Sequence, residues 1–146
     1  MKKHIYTMIA MIVLVGSMAA AAQGQTGSTR LRADIPFAFN VGNTTLPAGE
    51  YLVRAIGNDS SNAVILIQSA DGDSHALSNM SVVRGKAQDS ARLVFRRYGN
   101  KYFFAEAWIG GETDGLGAPK SKAERAAQKE LASLAARTET VALRIR

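Results

Sequence analysis

Residues 91–109 read ARLVFRRYGNKYFFAEAWI, and this stretch decides the fold. Two runs of aromatic and branched residues stand on either side of the Gly-Asn pair at 99–100, which is typical of a two-residue β-hairpin turn. A turn of this length fixes the register of both strands, so that Phe95 is expected to face Phe104. The sequence therefore predicts an antiparallel ribbon as its best-defined element.

The same register sorts the side chains of the ribbon onto two faces. It pairs Leu93 with Glu106 and Ala91 with Trp108, on the side of Phe95, which is the predicted core side. The other side is expected to be mostly solvated. An unpaired carboxylate in a core costs on the order of several kcal/mol. We therefore expect Glu106 either to meet an arginine at a strand end or to line a solvated pocket.

Strand patterns continue on both sides of this ribbon. Apolar residues occupy every odd position over 31–41, which is the period of a half-buried strand, and a continuous apolar run fills 63–67. Asp-Gly at 71–72 predicts a second two-residue hairpin. Together with shorter alternating stretches and a last strand at 141–145, this predicts about seven strands. The expected fold class is mainly all-β, an antiparallel sandwich or partly open barrel.

One helix is predicted before the last strand. Ser121 and Glu124 form an S-x-x-E capping box after Pro119, which predicts a helix at about 122–136. Its apolar stripe is narrow, so we expect it to add little to the core. The preceding segment, 110–117, holds four glycines and is expected to be a flexible loop.

The N-terminus has the pattern of a signal peptide. Lys2 and Lys3 precede a short apolar run at 8–15, and Ala20 and Ala22 supply the A-x-A pattern of a cleavage site. We predict cleavage near Ala22, a periplasmic or secreted location, and membrane contact only in transit through the signal peptide. The alternative is a retained N-terminal anchor helix, for which the apolar stretch is short.

These boundaries leave one domain. Residues 1–22 are the predicted signal peptide, 23–29 a flexible linker rich in Gly, Gln, Ser and Thr, and 30–146 a single β-rich domain. The net charge of the chain is +6 at pH 7, and its surplus lies in the tail, 120–146. A basic tail without interleaved aromatic residues is more typical of a solvated face than of a nucleic-acid site, so no nucleic-acid partner is expected.

Four segments resemble the signatures of a protein family, in the same order along the chain. They are DIPFAFNVG at 34–42, TLPAGEY at 45–51, LVFRRYGN at 93–100 and PKSKAER at 119–125. The family consists of small exported bacterial β-rich proteins of unknown function. The resemblance implies export and a small β-rich domain, and it transfers no activity and no site residues.

Few residues could carry catalysis or bind a metal. The chain has no cysteine, which excludes thiol nucleophiles and cysteine-ligated zinc or iron-sulfur sites. His75 is the one histidine beyond the predicted signal peptide, and the turn at 71–72 places it opposite Gln68, near a hairpin tip. No serine lies in a G-x-S-x-G motif, and the glycines at 110–117 lack a phosphate-loop lysine. We therefore expect no metal, no cofactor and no enzymatic activity.

These exclusions favour a non-enzymatic exported module that acts by binding or assembling with a partner in the cell envelope or outside the cell. The alternative is a small apolar ligand held in the mouth of a partly open barrel. The candidate ligand-binding residues are Tyr51, Phe95, Phe104, Glu106 and Trp108. Self-association is a further expectation, since the C-terminal strand could pair in its own sheet or with a neighbouring copy.

Overall fold

The computed structural model describes residues 30–56, 63–134 and 139–144. The predicted signal peptide, the linker, the cleavage position near Ala22 and the last predicted residues of the helix, 135–136, lie outside the described residues. The strands are β1 (Arg30–Ile35), β2 (Phe39–Val41), β3 (Thr44–Leu46), β4 (Gly49–Ile56), β5 (Ala63–Ser69), β6 (His75–Arg84), β7 (Arg92–Tyr98), β8 (Lys101–Trp108), β9 (Asp114–Gly117) and β10 (Glu139–Arg144). Helix α1 (Lys122–Ser133) lies between β9 and β10.

All ten strands of the described ranges belong to one curved sheet. Its main order is β1-β4-β5-β6-β9-β8-β2-β3. Strand β7 pairs with the other edge of β8, and β10 pairs with β7. Strand β6 joins the two halves, because its first part pairs with β5 and its last part with β9. One core cluster receives side chains from both halves. The sheet is not closed, since β1 and β10 are edges that do not pair with each other. The predicted all-β class is confirmed, and we call this structure the open barrel.

Three strands were not predicted, namely β2, β3 and β9. The alternating run at 31–41 forms two strands because Pro36 lacks a backbone N–H and ends β1. Strand β3 has only three residues. Strand β9 lies in the segment 110–117 that glycine content marks as a loop, and it is held by hydrogen-bonded neighbours on both sides, β6 and β8.

The strand pairing next to both predicted hairpin turns agrees with the register predicted from the sequence. Gln68 pairs with His75 beyond the turn at 71–72, and Phe95 pairs with Phe104 beyond the turn at 99–100. Gly72 and Gly99 have φ of 85° and 62°, the left-handed conformation that glycine adopts without steric cost.

The ribbon departs from its predicted register beyond Phe104. A β-bulge leaves Ala105 without a partner on β7, and its carbonyl instead accepts a hydrogen bond from the Ala118 N–H at 2.7 Å. From there Leu93 pairs with Ala107 and not with Glu106. The extra residue turns Ala107 toward the core. It moves Glu106 and Trp108 to the outer face, so their predicted position on the core side is wrong.

The outer face near the hairpin tip is not solvated as expected, because α1 covers it. Ala127 and Leu131 of the helix pack with Tyr98 and Phe103 of the ribbon in a small cluster of their own. The helix begins as predicted, with the Ser121 Oγ accepting the Glu124 N–H at 3.1 Å. No helix in the described ranges is long and apolar enough to cross a membrane.

The C-terminal strand pairs within its own chain. Residues 139–144 form six antiparallel pairs with β7, and Val141 and Leu143 pack against the core. This is the arrangement expected for a strand that completes its own sheet. Exchange of this strand between copies stays a prediction.

Candidate functional site

A cavity of about 250 Å³ opens at one end of the barrel. At this end β4, β6 and β8 finish and β1, β5 and β9 begin, and we call it the open end. Among the described residues, the lining is mainly aliphatic and contains no aromatic side chain. Its larger aliphatic residues are Leu31, Val53, Ile65, Val82, Ile109 and Leu116.

The opposite end, which carries the turns at 71–72 and 99–100, is filled, and we call it the filled end. Here the ring of Phe95 meets the rings of Phe37, Phe39 and Phe104 edge to face, at centroid distances of 5.2, 5.4 and 5.9 Å. Phe39 also contacts the ring of Tyr51 at 5.1 Å. Edge-to-face packing of several rings leaves little free volume, so the cavity is confined to the open end.

The bulge at Ala105 is one reason why the open end has room. In an unbulged ribbon Trp108 would point into the barrel, at the level of the cavity. The bulge places the methyl group of Ala107 there instead. The bulge therefore keeps the Trp108 side chain, the largest in the protein, out of the interior near the cavity.

On the outer face Trp108 is buried by backbone. A Cβ atom on Gly115 would lie 2.6 Å from the indole ring, and one on Gly85 would lie 2.7 Å from it, so a side chain at either position would displace the ring. The indole Nε1–H donates to the Glu106 carboxylate at 2.8 Å, and the Arg92 guanidinium lies 5.8 Å from the ring centroid. The indole N–H therefore has a hydrogen-bond acceptor, and the ring is packed against protein groups.

The five predicted site residues do not form one site, and none of them lines the cavity. Tyr51, Phe95 and Phe104 are buried in the core of the filled end, where the Tyr51 hydroxyl donates to the Pro47 carbonyl at 2.6 Å. Glu106 and Trp108 come together, but on the outer face. Glu106 accepts the indole N–H of this tryptophan and also lines an outer-face pocket of about 230 Å³ together with Arg92 and Arg96. The expected pocket is therefore present, but on the outer face and not inside the barrel.

Sequence reasoning missed the residues that do form the cavity. They are small or aliphatic side chains, such as Ala55, Ala107 and Leu116, whose type is that of ordinary core residues. One local signal pointed to them. The segment AEAW at 105–108 combines two alanines with a tryptophan, and glycines at 115 and 117 stand across the sheet from Trp108 and Glu106. That pattern indicates a close approach of a large ring to backbone.

Large aliphatic side chains are also exposed around the opening. Val82 and Ile109 line the cavity and are 47% and 37% exposed, and Ile56, at the end of β4, is 43% exposed. A cluster of exposed aliphatic residues beside an apolar cavity is typical of a binding site.

Few polar groups reach the cavity. Those that line it belong to Arg54, Glu112 and Asp114. The Asp114 carboxylate lies 3.6 Å from the Arg84 guanidinium, and both side chains are well exposed. In the described ranges no group of three histidine, aspartate or glutamate side chains is placed to hold a metal ion.

A buried carboxylate lies elsewhere, under the helix. Glu124 is 2% exposed and accepts two hydrogen bonds from the Arg96 guanidinium and one from the Tyr98 hydroxyl at 3.0 Å. Its carboxylate therefore faces the sheet. Burial, with the hydrogen bond and negative charge of Glu124, raises the pKa of Tyr98 to about 12. Burial alone lowers the pKa of Arg96, but the bond and charge of Glu124 outweigh it and the pKa is raised. This network joins the helix to the ribbon.

Comparison of the chain with protein-family models, with curated proteins and with solved structures found no match.

Proposed function

We propose that this protein is an exported, non-enzymatic binding module whose ligand is a small aliphatic molecule or chain held in the open end of the barrel. The observation that carries the proposal is the cavity of about 250 Å³ with its aliphatic lining. Protein interiors are normally close-packed, so an apolar space of this size that no side chain of residues 30–56, 63–134 or 139–144 fills is unusual. Apolar cavities of about 150 Å³ already bind benzene-sized molecules.

The polar groups at the cavity support binding rather than catalysis. Among the described residues, its lining has carboxylates and an arginine at the rim and no serine, threonine, tyrosine or histidine. A nucleophile with an adjacent base, the arrangement that acyl transfer or hydrolysis needs, is therefore not offered to a ligand in this cavity. The lining gives the ligand an apolar surface and few directed hydrogen bonds.

Titration with linear alcohols from butanol to octanol tests this proposal. Each added methylene that is buried contributes about 0.8 kcal/mol, so affinity is expected to rise about fourfold per carbon until the cavity is full. Methyl NMR signals of Leu31, Val53 and Ile65 are expected to shift with saturation, since these side chains line the cavity.

A plugged variant provides the control. Ala55 lines the cavity and is exposed, so Ala55→Phe places a ring in the opening without disturbing the core. We expect it to abolish saturable alcohol binding. Leu77→Phe is the matched variant, because Leu77 is 58% exposed on β6 and lies outside the cavity lining. Equal binding by the two variants, or no dependence of affinity on chain length, would contradict the proposal.

A further inference from the structure

We infer that the open end docks on the surface of an anionic lipid bilayer and that a lipid acyl chain is the aliphatic group that enters the cavity. The inference rests on the proposed function, since the cavity is the place that receives the chain. It adds a membrane contact of the folded domain to the transient one expected of the signal peptide.

The apolar contribution comes from three side chains at one end of the molecule. Ile56, Val82 and Ile109 are each more than a third exposed; Val82 and Ile109 line the cavity, and Ile56 is the last residue of β4 at the same end. A bilayer buries aliphatic side chains of this kind at the boundary between headgroups and acyl chains.

Charge complementarity selects an anionic surface. Among the described residues, the open end carries six cationic residues against three acidic ones. The cationic residues are Arg30, Arg54, Arg84, Lys86, Arg92 and Arg144, and the acidic ones are Asp89, Glu112 and Asp114. Each of these cations lies within two residues of a strand end on this side of the molecule.

At the filled end the charges are mixed. The half of the sheet formed by β1, β4, β5 and β6 carries Asp34, Glu50, Asp71 and Asp73 against Arg32, whereas the turn at 99–100 carries Arg97 and Lys101. A molecule with this distribution approaches an anionic surface with its open end first.

The chain enters the domain at the same end. Strand β1 begins at Arg30, and the next residue, Leu31, lines the cavity. The first 29 residues, with their basic start and apolar run, are therefore joined to the protein beside the cavity opening. A membrane contact made by that segment before cleavage presents the open end to the bilayer.

Vesicle binding of the protein, with the same N-terminus in every variant, tests this inference. Vesicles of phosphatidylcholine mixed with phosphatidylglycerol are compared with vesicles of phosphatidylcholine alone. We expect binding to the anionic vesicles only, weakened by added salt. Each cation near an anionic surface strengthens binding about fivefold, so Arg30→Gln with Lys86→Gln is expected to weaken it about 25-fold.

The matched charge control lies toward the filled end. Lys101→Gln with Lys129→Gln removes the same charge and is expected to leave binding unchanged. Val82→Ser with Ile109→Ser is expected to weaken binding, whereas Leu77→Ser, on a side chain outside the opening, is not. Circular dichroism verifies that all variants fold. If both double charge variants lose vesicle binding equally, or if the protein binds neutral vesicles as well as anionic ones, the open end is not the docking surface.

The plugged variant separates this inference from the proposed function. If an acyl chain enters the cavity, Ala55→Phe weakens vesicle binding as well as alcohol binding. Saturable alcohol binding without vesicle binding would overturn the membrane inference and leave the ligand-binding function standing. Vesicle binding that follows the cations while alcohols fail to bind would overturn the proposed function and, with it, entry of the acyl chain.

Discussion

The two ends of the barrel are built from the same strands and differ in what their inward side chains fill. At the filled end, four phenylalanines and Tyr51 meet in edge-to-face contacts around Phe95. At the open end, the inward positions carry aliphatic side chains and Ala107, and a cavity of about 250 Å³ remains. The comparison teaches that one sheet can provide both a rigid core and a binding site through a gradient of side-chain size along its strands.

A single irregularity sharpens this gradient. Without the bulge at Ala105, the alternation of β8 would carry the aromatic series of Phe104 on to Trp108, and the interior would be aromatic from end to end. With the bulge, the indole lies outside, where Gly85 and Gly115 leave space for it. The bulge thus determines which side chain of β8 faces the cavity.

The largest expected effect is on the filled end. Phe95→Ala removes a fully buried ring at the centre of the aromatic cluster, and we expect a loss of about 3 to 5 kcal/mol in the free energy of unfolding. Ile109→Ala, at the open end, is expected to cost less than about 1 kcal/mol, because that side chain is partly exposed. Urea denaturation measures both. Similar losses would remove the distinction between the ends.

The outer faces of the two ends are expected to differ in the same way. Glu124→Ala leaves the Arg96 guanidinium without its partner under the helix, and we expect a loss of about 3 kcal/mol. Glu106→Ala, on the outer face nearer the open end, removes one hydrogen bond to the Trp108 indole and is expected to cost about 1 kcal/mol. Thermal and chemical denaturation of the two variants compares them. A larger loss in Glu106→Ala would refute this account of the helix.

The outward position of Trp108 can be tested through its glycine neighbour. Gly115→Ala places a methyl group 2.6 Å from the indole ring, so the ring must move, and we expect a cost of about 1 to 3 kcal/mol. Gly49→Ala is the control, since a Cβ there meets only an ordinary contact of 3.8 Å with Tyr51. If both substitutions have equal cost by denaturation, Trp108 is not packed on Gly115.

The smallest effect at neutral pH concerns Tyr98. Its pKa is raised from 10.0 to about 12 in the folded protein. The folded state therefore holds this proton more tightly than the unfolded state, and the associated stability is complete below about pH 10 and is lost as the pH rises to about 12. We expect Tyr98→Phe to remove this alkaline loss while costing about 1 kcal/mol at neutral pH. An unchanged alkaline profile in denaturation experiments would contradict the raised pKa of Tyr98, whose first cause is burial and whose second is Glu124.

The filled end could largely be predicted from the sequence, because its determinants are local. Two-residue turns at 71–72 and 99–100 fix pairing by their length, and alternation from 31 to 41 identifies core side chains such as Phe39 correctly even though Pro36 divides the strand. The helix start was read from Ser121, whose hydroxyl caps the first turn.

The open end could not be predicted, because its determinants are tertiary. At the bulge the Ala105 carbonyl accepts a hydrogen bond from Ala118, which is distant from β7 in sequence, and β9 pairs with two strands on either side of it. A pattern of period two carries no sign of an extra residue, so the prediction placed Glu106 and Trp108 on the wrong face. Glu124 was recognised as a capping residue, but its burial against Arg96 depends on where the helix packs.

The account depends most directly on which residue of β8 faces the cavity. Nuclear Overhauser effects between bound octanol and the protein report this in one measurement. We predict contacts from the alkyl chain to the Ala107 and Leu116 methyl groups and none to the Trp108 indole, which lies on the other side of the sheet. Contacts to the indole without contacts to Ala107 would show an unbulged ribbon with Trp108 inside, and would contradict the account.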